Sequence, residues 1–271
     1  MSSVARLVPL LDVPRSAFAG QGETEWFDTD WLDGYRARNG HPLYGEHDIS
    51  YRFNSYGYRC PEFSAVAELR IVSIGCSYVL GTGLPQEELF HERFVRRLAQ
   101  VRCQRVVNWN LSAPGASNDY ICRLLFLAIP ALNPEIVLVN FTHAGRREYV
   151  SLQNRLASYT PGVRPGDLVG KEICAHFDAL SSPHDDVLNL FRNYKAIEAL
   201  LAKRLWLFSS IQPDVFDILG GHVDRRRFAG DLLRIDLARD KAHPGPESHK
   251  RLFELYWDKF LKLEARSDTR S

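Results

Sequence analysis

Residues 69–83 read LRIVSIGCSYVLGTG. An apolar, β-branched run from Leu69 to Ile74 stops on Gly75-Cys76-Ser77, and two more glycines, Gly81 and Gly83, follow. A strand that ends on glycine and turns toward a helix leaves Ser77 beyond the strand's carboxyl end, where open parallel sheets gather their chemistry. Outward from this stretch the pattern repeats. RVVNWNL, EIVLVNF, LWLFSSI and LLRIDLA read as further strands. Between them EELFHERFVRRLAQ, NDYICRLLFLAIPAL and DVLNLFRNYKAIEALLAKR carry longer amphipathic patterns. The last such pattern, PESHKRLFELYWDKFLKL, starts on Gly245-Pro246-Glu247 and sets Leu252, Phe253, Tyr256, Phe260 and Leu263 at helical spacing. Strand–helix alternation predicts an α/β fold with crossover connections and a mostly parallel sheet.

The first 66 residues differ. They are rich in Trp, Tyr, Gly and Asp, as in EWFDTDWLDGYRARNG, and have no sustained periodicity. They are expected to form an irregular extension packed on a core made by residues 67–271. The stretch Ser151–Ser182 reads as one long irregular connection, of the kind used as lids or substrate loops.

The chain has 271 residues with ordinary globular composition, and its 34 basic and 33 acidic residues leave a net charge of +1. No single-sign field calls for nucleic acid or a lipid surface. Five widely spaced cysteines without a CxxC pair argue against a disulfide framework or a zinc knuckle and suggest a reducing, cytoplasmic setting. Cys103 and Cys122 read as buried thiols. His184, His222 and His249 have no metal-ligand spacing, so neither a metal nor another cofactor is expected. The start, MSSVARLVPLLDVPRSAFAG, is read as something other than a signal peptide, because Pro9, Asp12 and Pro14 interrupt it. No run reaches the roughly 18 apolar residues of a membrane span.

Three strand ends carry candidate chemistry. At the first, a dinucleotide fingerprint fails because Gln86 stands where a third glycine would be needed. A P-loop lacks its Gly-Lys-Ser/Thr, and a GxSxG elbow fails at Val79. A cysteine-phosphatase loop lacks its Arg at Thr82. A serine nucleophile in another architecture remains. The second end reads Asp240-Lys241-Ala242-His243-Pro244. A serine hydroxyl needs an imidazole to take its proton and a carboxylate to hold that imidazole, and Asp240 with His243 on one turn would supply both. The third, Asn108 to Asn118, holds Gly115, whose bare backbone N–H suits an oxyanion.

In this order the motifs resemble the SGNH, or GDSL, hydrolase family. Gly75-Cys76-Ser77 stands where the family has Gly-Asp-Ser, and Gly115 matches its second-block glycine. Asp240-Lys-Ala-His243-Pro244 matches the closing D-x-x-H-P, and Asn54-Ser-Tyr-Gly-Tyr-Arg-Cys-Pro-Glu62 looks like the lead-in of one bacterial subgroup. The resemblance implies a three-layer α/β/α sandwich around a five-stranded parallel sheet. It implies Ser77 as nucleophile, His243 as general base, Asp240 as its orienter, and the N–H groups of Ser77 and Gly115 as oxyanion donors. The family's third block, G-x-N-D, is missing its Asn, because Ala144 falls at that place. Thr142 or His143, or Asn140 in a shifted register, is the expected substitute donor.

The activity implied is that of a serine esterase or acyl hydrolase on a small-molecule ester or thioester. An O-acyltransferase using the same triad and a non-catalytic binding module on the same fold are the alternatives. Each residue also has a plainer reading. In it Ser77 is a helix cap, Asp240 and His243 are a surface pair, and Gly115 simply turns the chain. In the same reading His143 is structural or solvated, and Trp26, Trp31 and Tyr35 only pack the extension, while Arg146 and Arg147 either form a surface pair or hold an anionic group.

Overall fold

Strand β3 (Leu69–Ile74) pairs in parallel with β4 (Val106–Asn110) on one side and β5 (Ile136–Phe141) on the other. Beyond β5 lie β8 (Leu205–Ser210) and the edge strand β9 (Phe228–Asp231), again in parallel, so the sheet order is β4-β3-β5-β8-β9. The order reverses at β3, which places a crevice beyond the carboxyl ends of β3 and β5. This computed structural model describes residues 15–150, 156–161, 174, 175, 177, 179 and 182–268.

Alternation along the strands builds two cores. Ile71, Ile136, Leu138 and Leu207 face Phe90, Phe94 and Leu98 of α3 (Phe90–Arg102) and Leu252, Tyr256 and Phe260 of α7 (Pro246–Asp268). Val72, Ile74, Val137, Val139, Trp206 and Phe208 face Ile121, Leu124 and Ala128 of α4 (Asn118–Leu132) and Leu190, Tyr194 and Ile197 of α5 (Pro183–Leu200). The result is the expected three-layer α/β/α sandwich with a five-stranded parallel sheet. Local chemistry starts the helices. Ser117 caps α4 by accepting from Tyr120 N–H, and Ser182 caps α5 with Pro183 and two aspartates in the first turn.

The fifth strand lies earlier than the sequence pattern predicts. LLRIDLA spans residues 232–238, yet β9 is Phe228–Asp231 and joins β8 across a register shift. Asp236 accounts for the difference. Its carboxylate accepts from the backbone N–H groups of Glu247 and Ser248 and caps α7 from outside, drawing this segment off the sheet edge. Leu233, Ile235 and Leu237 are consequently exposed, and their alternation is not that of a strand. Cys103 is exposed as well, in left-handed backbone at the end of α3, and Cys122 is half-buried. Cys60, Cys76 and Cys174 are the buried thiols. Of the long connection, Leu156–Tyr159 (β7) forms a hairpin with Arg147–Val150 (β6), and most of the rest lies outside the described residues.

The extension contributes a small strand pair, β1 (Glu23–Thr24) with β2 (Tyr51–Arg52), and a short helix, α1 (Leu32–Ala37). Phe27, Tyr44, Ile49, Tyr51 and Phe53 form a third apolar cluster with Leu80, Leu84, Leu89 and Ala238, which lie in the segments that follow β3 and β9. Among the described residues no helix is long and apolar enough to cross a membrane, and no cluster of three metal-ligating side chains occurs.

Candidate active site

Cys76 is the N-cap of the four-residue helix α2 (Ser77–Leu80) and makes no side-chain capping bond. Ser77 is therefore the first helical residue, and its hydroxyl is free for other use. That hydroxyl lies 2.8 Å from His243 Nε2, across 166 residues of chain. His243 Nδ1 lies 2.5 Å from Asp240 Oδ2. The tautomer that fits both contacts carries its proton on Nδ1, donates it to Asp240 and accepts from Ser77. The turn 240–243 is drawn tight, because Asp240 Oδ1 also accepts from the N–H groups of Ala242 and His243 at 3.1 and 3.0 Å. Ser77 and His243 each keep 7% of their surface exposed, against 3% for Asp240.

Burial pushes the Asp240 carboxyl up, but the His243 hydrogen bond and charge, with the Thr29 hydroxyl, outweigh it and bring its pKa to about 2. Thr29 comes from the extension. Its Oγ1 donates to Asp240 Oδ2 at 2.6 Å. The neighbouring Asp28, in left-handed backbone, presents a second carboxyl whose pKa desolvation raises against the opposing pull of His243. No motif in residues 15–45 announced these two side chains.

The extension also clamps both site loops. Buried Arg239, next to Asp240, pairs with Asp30 at 2.7 Å, with both side chains fully buried. It also donates to the carbonyls of Glu25, Gly45 and Glu46 and lies 4.0 Å over the Trp26 ring. Tyr51 Oη donates to Asp30 and accepts from Gly83 N–H at 2.7 Å. Gly83, at φ +79°, lets the loops touch: a Cβ there would lie 2.9 Å from Ala238 Cβ and 3.2 Å from Asp240 N. Arg59, from the Asn54–Glu62 lead-in, is buried, and burial lowers its pKa to about 10. It donates to the carbonyls of Leu80, Gly81, Leu84 and Ser50, so one side chain ties down the turn that follows Ser77.

The loop beyond β4 lies against the Ser77 turn through Ala113 N–H to Gly75 O at 3.3 Å. Gly115 in that loop has φ +67°, and its N–H has no acceptor among the described residues. At the end of β5 the three substitute donors separate. Asn140 is committed beneath the sheet, its Nδ2 donating to Ser209 Oγ at 2.6 Å. Thr142 is buried, and its Oγ1 accepts from Arg146, which leaves its own proton to donate. Its backbone is fixed by Asn118, whose Oδ1 accepts from Thr142 N–H. His143 sits exposed at the rim, its pKa lowered by desolvation and by Arg146. Ala144 N–H is taken by Gln212.

No protein-family profile matches the chain, and no curated protein does. Among solved structures, the psychrotrophic esterase EstA from a Pseudoalteromonas species is 13% identical with a TM-score of 0.44, covering 73% of this chain and 100% of its own. TesA is 15% identical at a TM-score of 0.46, covering 70% and 97%. The acetylxylan esterase Axe2 from Geobacillus stearothermophilus is 10% identical at 0.43, covering 72% and 94%. At these scores the functional reading rests on the chain's own site.

Proposed function

We propose that the chain is a serine hydrolase that cleaves a small-molecule carboxylic ester or thioester through an acyl-enzyme, after the manner of the SGNH hydrolases. The observation that supports it most is the 2.8 Å contact of Ser77 Oγ with His243 Nε2, because a serine that merely capped α2 would not meet an imidazole from the far end of the chain.

In this reading Ser77 Oγ attacks the carbonyl carbon as His243 Nε2 takes its proton. Asp240 holds the imidazole by Nδ1 and stabilises the cation that forms. The carbonyl oxygen, now negative, is met by the N–H groups of Ser77 and Gly115, with the Thr142 hydroxyl as third donor in place of the absent Asn. One such donor is worth about 3 kcal/mol of barrier. His243 then passes its proton to the leaving alcohol or thiol. Water, deprotonated by His243, attacks the acyl-enzyme and releases the acid. The transferase alternative needs an acceptor hydroxyl held in place of water by the aromatic extension and the 151–182 connection, and most of that connection lies outside the described residues.

A fluorophosphonate probe tests the reading. It is expected to label the wild type and to spare Ser77→Ala, with labelling strongly slowed in His243→Ala. Equal labelling of wild type and Ser77→Ala overturns it.

A further inference from the structure

Arg146 and Arg147 stand side by side after β5, and their surroundings give them different tasks. Arg147 is consumed by its neighbours. Its Nη2 donates to Asp185 at 3.0 Å and Asp186 at 2.8 Å, and its Nη1 to Ala144 O at 2.5 Å. Arg146 has no carboxylate partner among the described residues. Its Nη1 donates to Thr142 Oγ1 at 2.8 Å, while its Nε is buried with no acceptor among the described residues. A guanidinium carries five donors in a planar fork that matches a carboxylate or phosphate edge, and a buried donor left without an acceptor is costly. Arg146 is thus held ready for an anion that the protein itself does not supply.

Its place in the fold gives this a use. The turn 142–146 lies beyond the carboxyl end of β5, the strand beside β3, whose exit turn leads to Ser77. Arg234 enters from the other end of the site, its Nη1 donating to the carbonyl of Ala242, next to His243. It too lacks a carboxylate partner among the described residues. Tyr78, the residue after Ser77, sets its ring edge-on to His243 at 5.3 Å. Arg146 thus touches Thr142 at the end of β5 and Arg234 the turn that carries His243; burial raises the Tyr78 pKa, and both guanidinium charges oppose it. An exposed acid of the extension, Asp28, accepts from Thr82 Oγ1 at 3.4 Å.

We propose that Arg146 and Arg234 bind an anionic group, a carboxylate or a phosphate, that the substrate carries beside its scissile ester. This rests on the hydrolase reading and narrows its substrate class to esters bearing such a group within a few bonds of the carbonyl. Arg146 supplies the planar fork in a desolvated setting, and the exposed Arg234 adds charge at the rim.

Calorimetry on the Ser77→Ala protein tests it without turnover, with monomethyl succinate and inorganic phosphate as separate probes. At least one probe is expected to bind, and the tighter of the two identifies the anion. Adding Arg146→Gln is expected to weaken that binding about tenfold or more, with Arg146→Lys intermediate. Arg234→Gln, an exposed substitution that leaves the fold alone, is expected to weaken it about threefold or more. Failure of both probes to bind, or equal affinity in the Ser77→Ala protein with and without these changes, overturns the proposal. Fluorophosphonate labelling of the same arginine variants on wild-type Ser77 keeps the two readings apart. Anion binding that depends on Arg146, with no labelling of Ser77, sinks the hydrolase alone. Labelling of Ser77, with anion binding indifferent to both arginines, sinks the anion site alone.

Discussion

Replacing Thr29 by Val removes one hydroxyl and little volume. In the folded protein that hydroxyl is one of four donors to Asp240, with the imidazole Nδ1–H and the N–H groups of Ala242 and His243. Against an ordinary value of 3.8, the pKa of about 2 means that folding favours the ionised Asp240 by about 2 kcal/mol at neutral pH. A hydrogen bond to a charged group contributes about 1.5–3 kcal/mol, and Thr29 is one contributor among several, so Thr29→Val should lose about 1–2 kcal/mol. The folded pKa lies below the unfolded one. The contribution is therefore complete above about pH 4 and is lost as pH falls toward 2. Thr29→Val should accordingly melt several degrees lower than wild type at pH 7, with the difference shrinking below pH 4. Asp240 still orients His243 in the variant, so kcat for p-nitrophenyl acetate should fall about tenfold with KM little changed. Scanning calorimetry at pH 7 and pH 3, with steady-state kinetics, checks both. Wild-type melting and wild-type kcat at pH 7 would refute the reasoning. A melting deficit of the same size at pH 3 would show that the hydroxyl acts through packing and not through the carboxylate.

Asp240→Asn should keep the fold and lower kcat by about 10⁴, because the amide favours the wrong imidazole tautomer; circular dichroism with turnover assays checks it. Gly115→Ala has room for its Cβ, with nothing within 4 Å, so its cost is the left-handed backbone, about 1–2 kcal/mol, and it should lower kcat more than its stability loss explains. Arg59→Met strands four carbonyls, three of them in the turn after Ser77. A loss of about 3 kcal/mol or more in urea denaturation is expected, with slower fluorophosphonate labelling.

The sheet and the Ser77, Asp240 and His243 set could be read early because each rests on local pattern. A β-branched run ending in Gly-Cys-Ser fixes a strand and its exit, and D-x-x-H sets two side chains on one turn. The edge strand was misplaced for a physical reason. Phe228–Asp231 is short and includes Gly230, whereas residues 232–238 alternate convincingly, and the pull of α7 on Asp236 is a contact between loops that periodicity does not record. Cys103 misled in a similar way, since residue type argued for burial while the left-handed end of α3 turned it outward. Thr29, Asp28 and the Asp30–Arg239 pair left no trace because their partners are about two hundred residues away and irregular backbone has no period to read. One signal was available: the Asn54–Glu62 lead-in stood out as a motif, and its Arg59 proves to be the side chain that holds the turn after Ser77.

Thr29, Ser77 and His243 meet at one point although 214 residues separate the threonine from the imidazole and 166 the serine from it. A ribosome-bound chain that has emerged only as far as α5 would own a nucleophile with no base, and a carboxylate-binding hydroxyl with nothing to hold. Reactivity of the serine toward an acylating reagent would then switch on late and abruptly, once the turn 240–243 and α7 have docked, so that acylation reports the meeting of three distant segments.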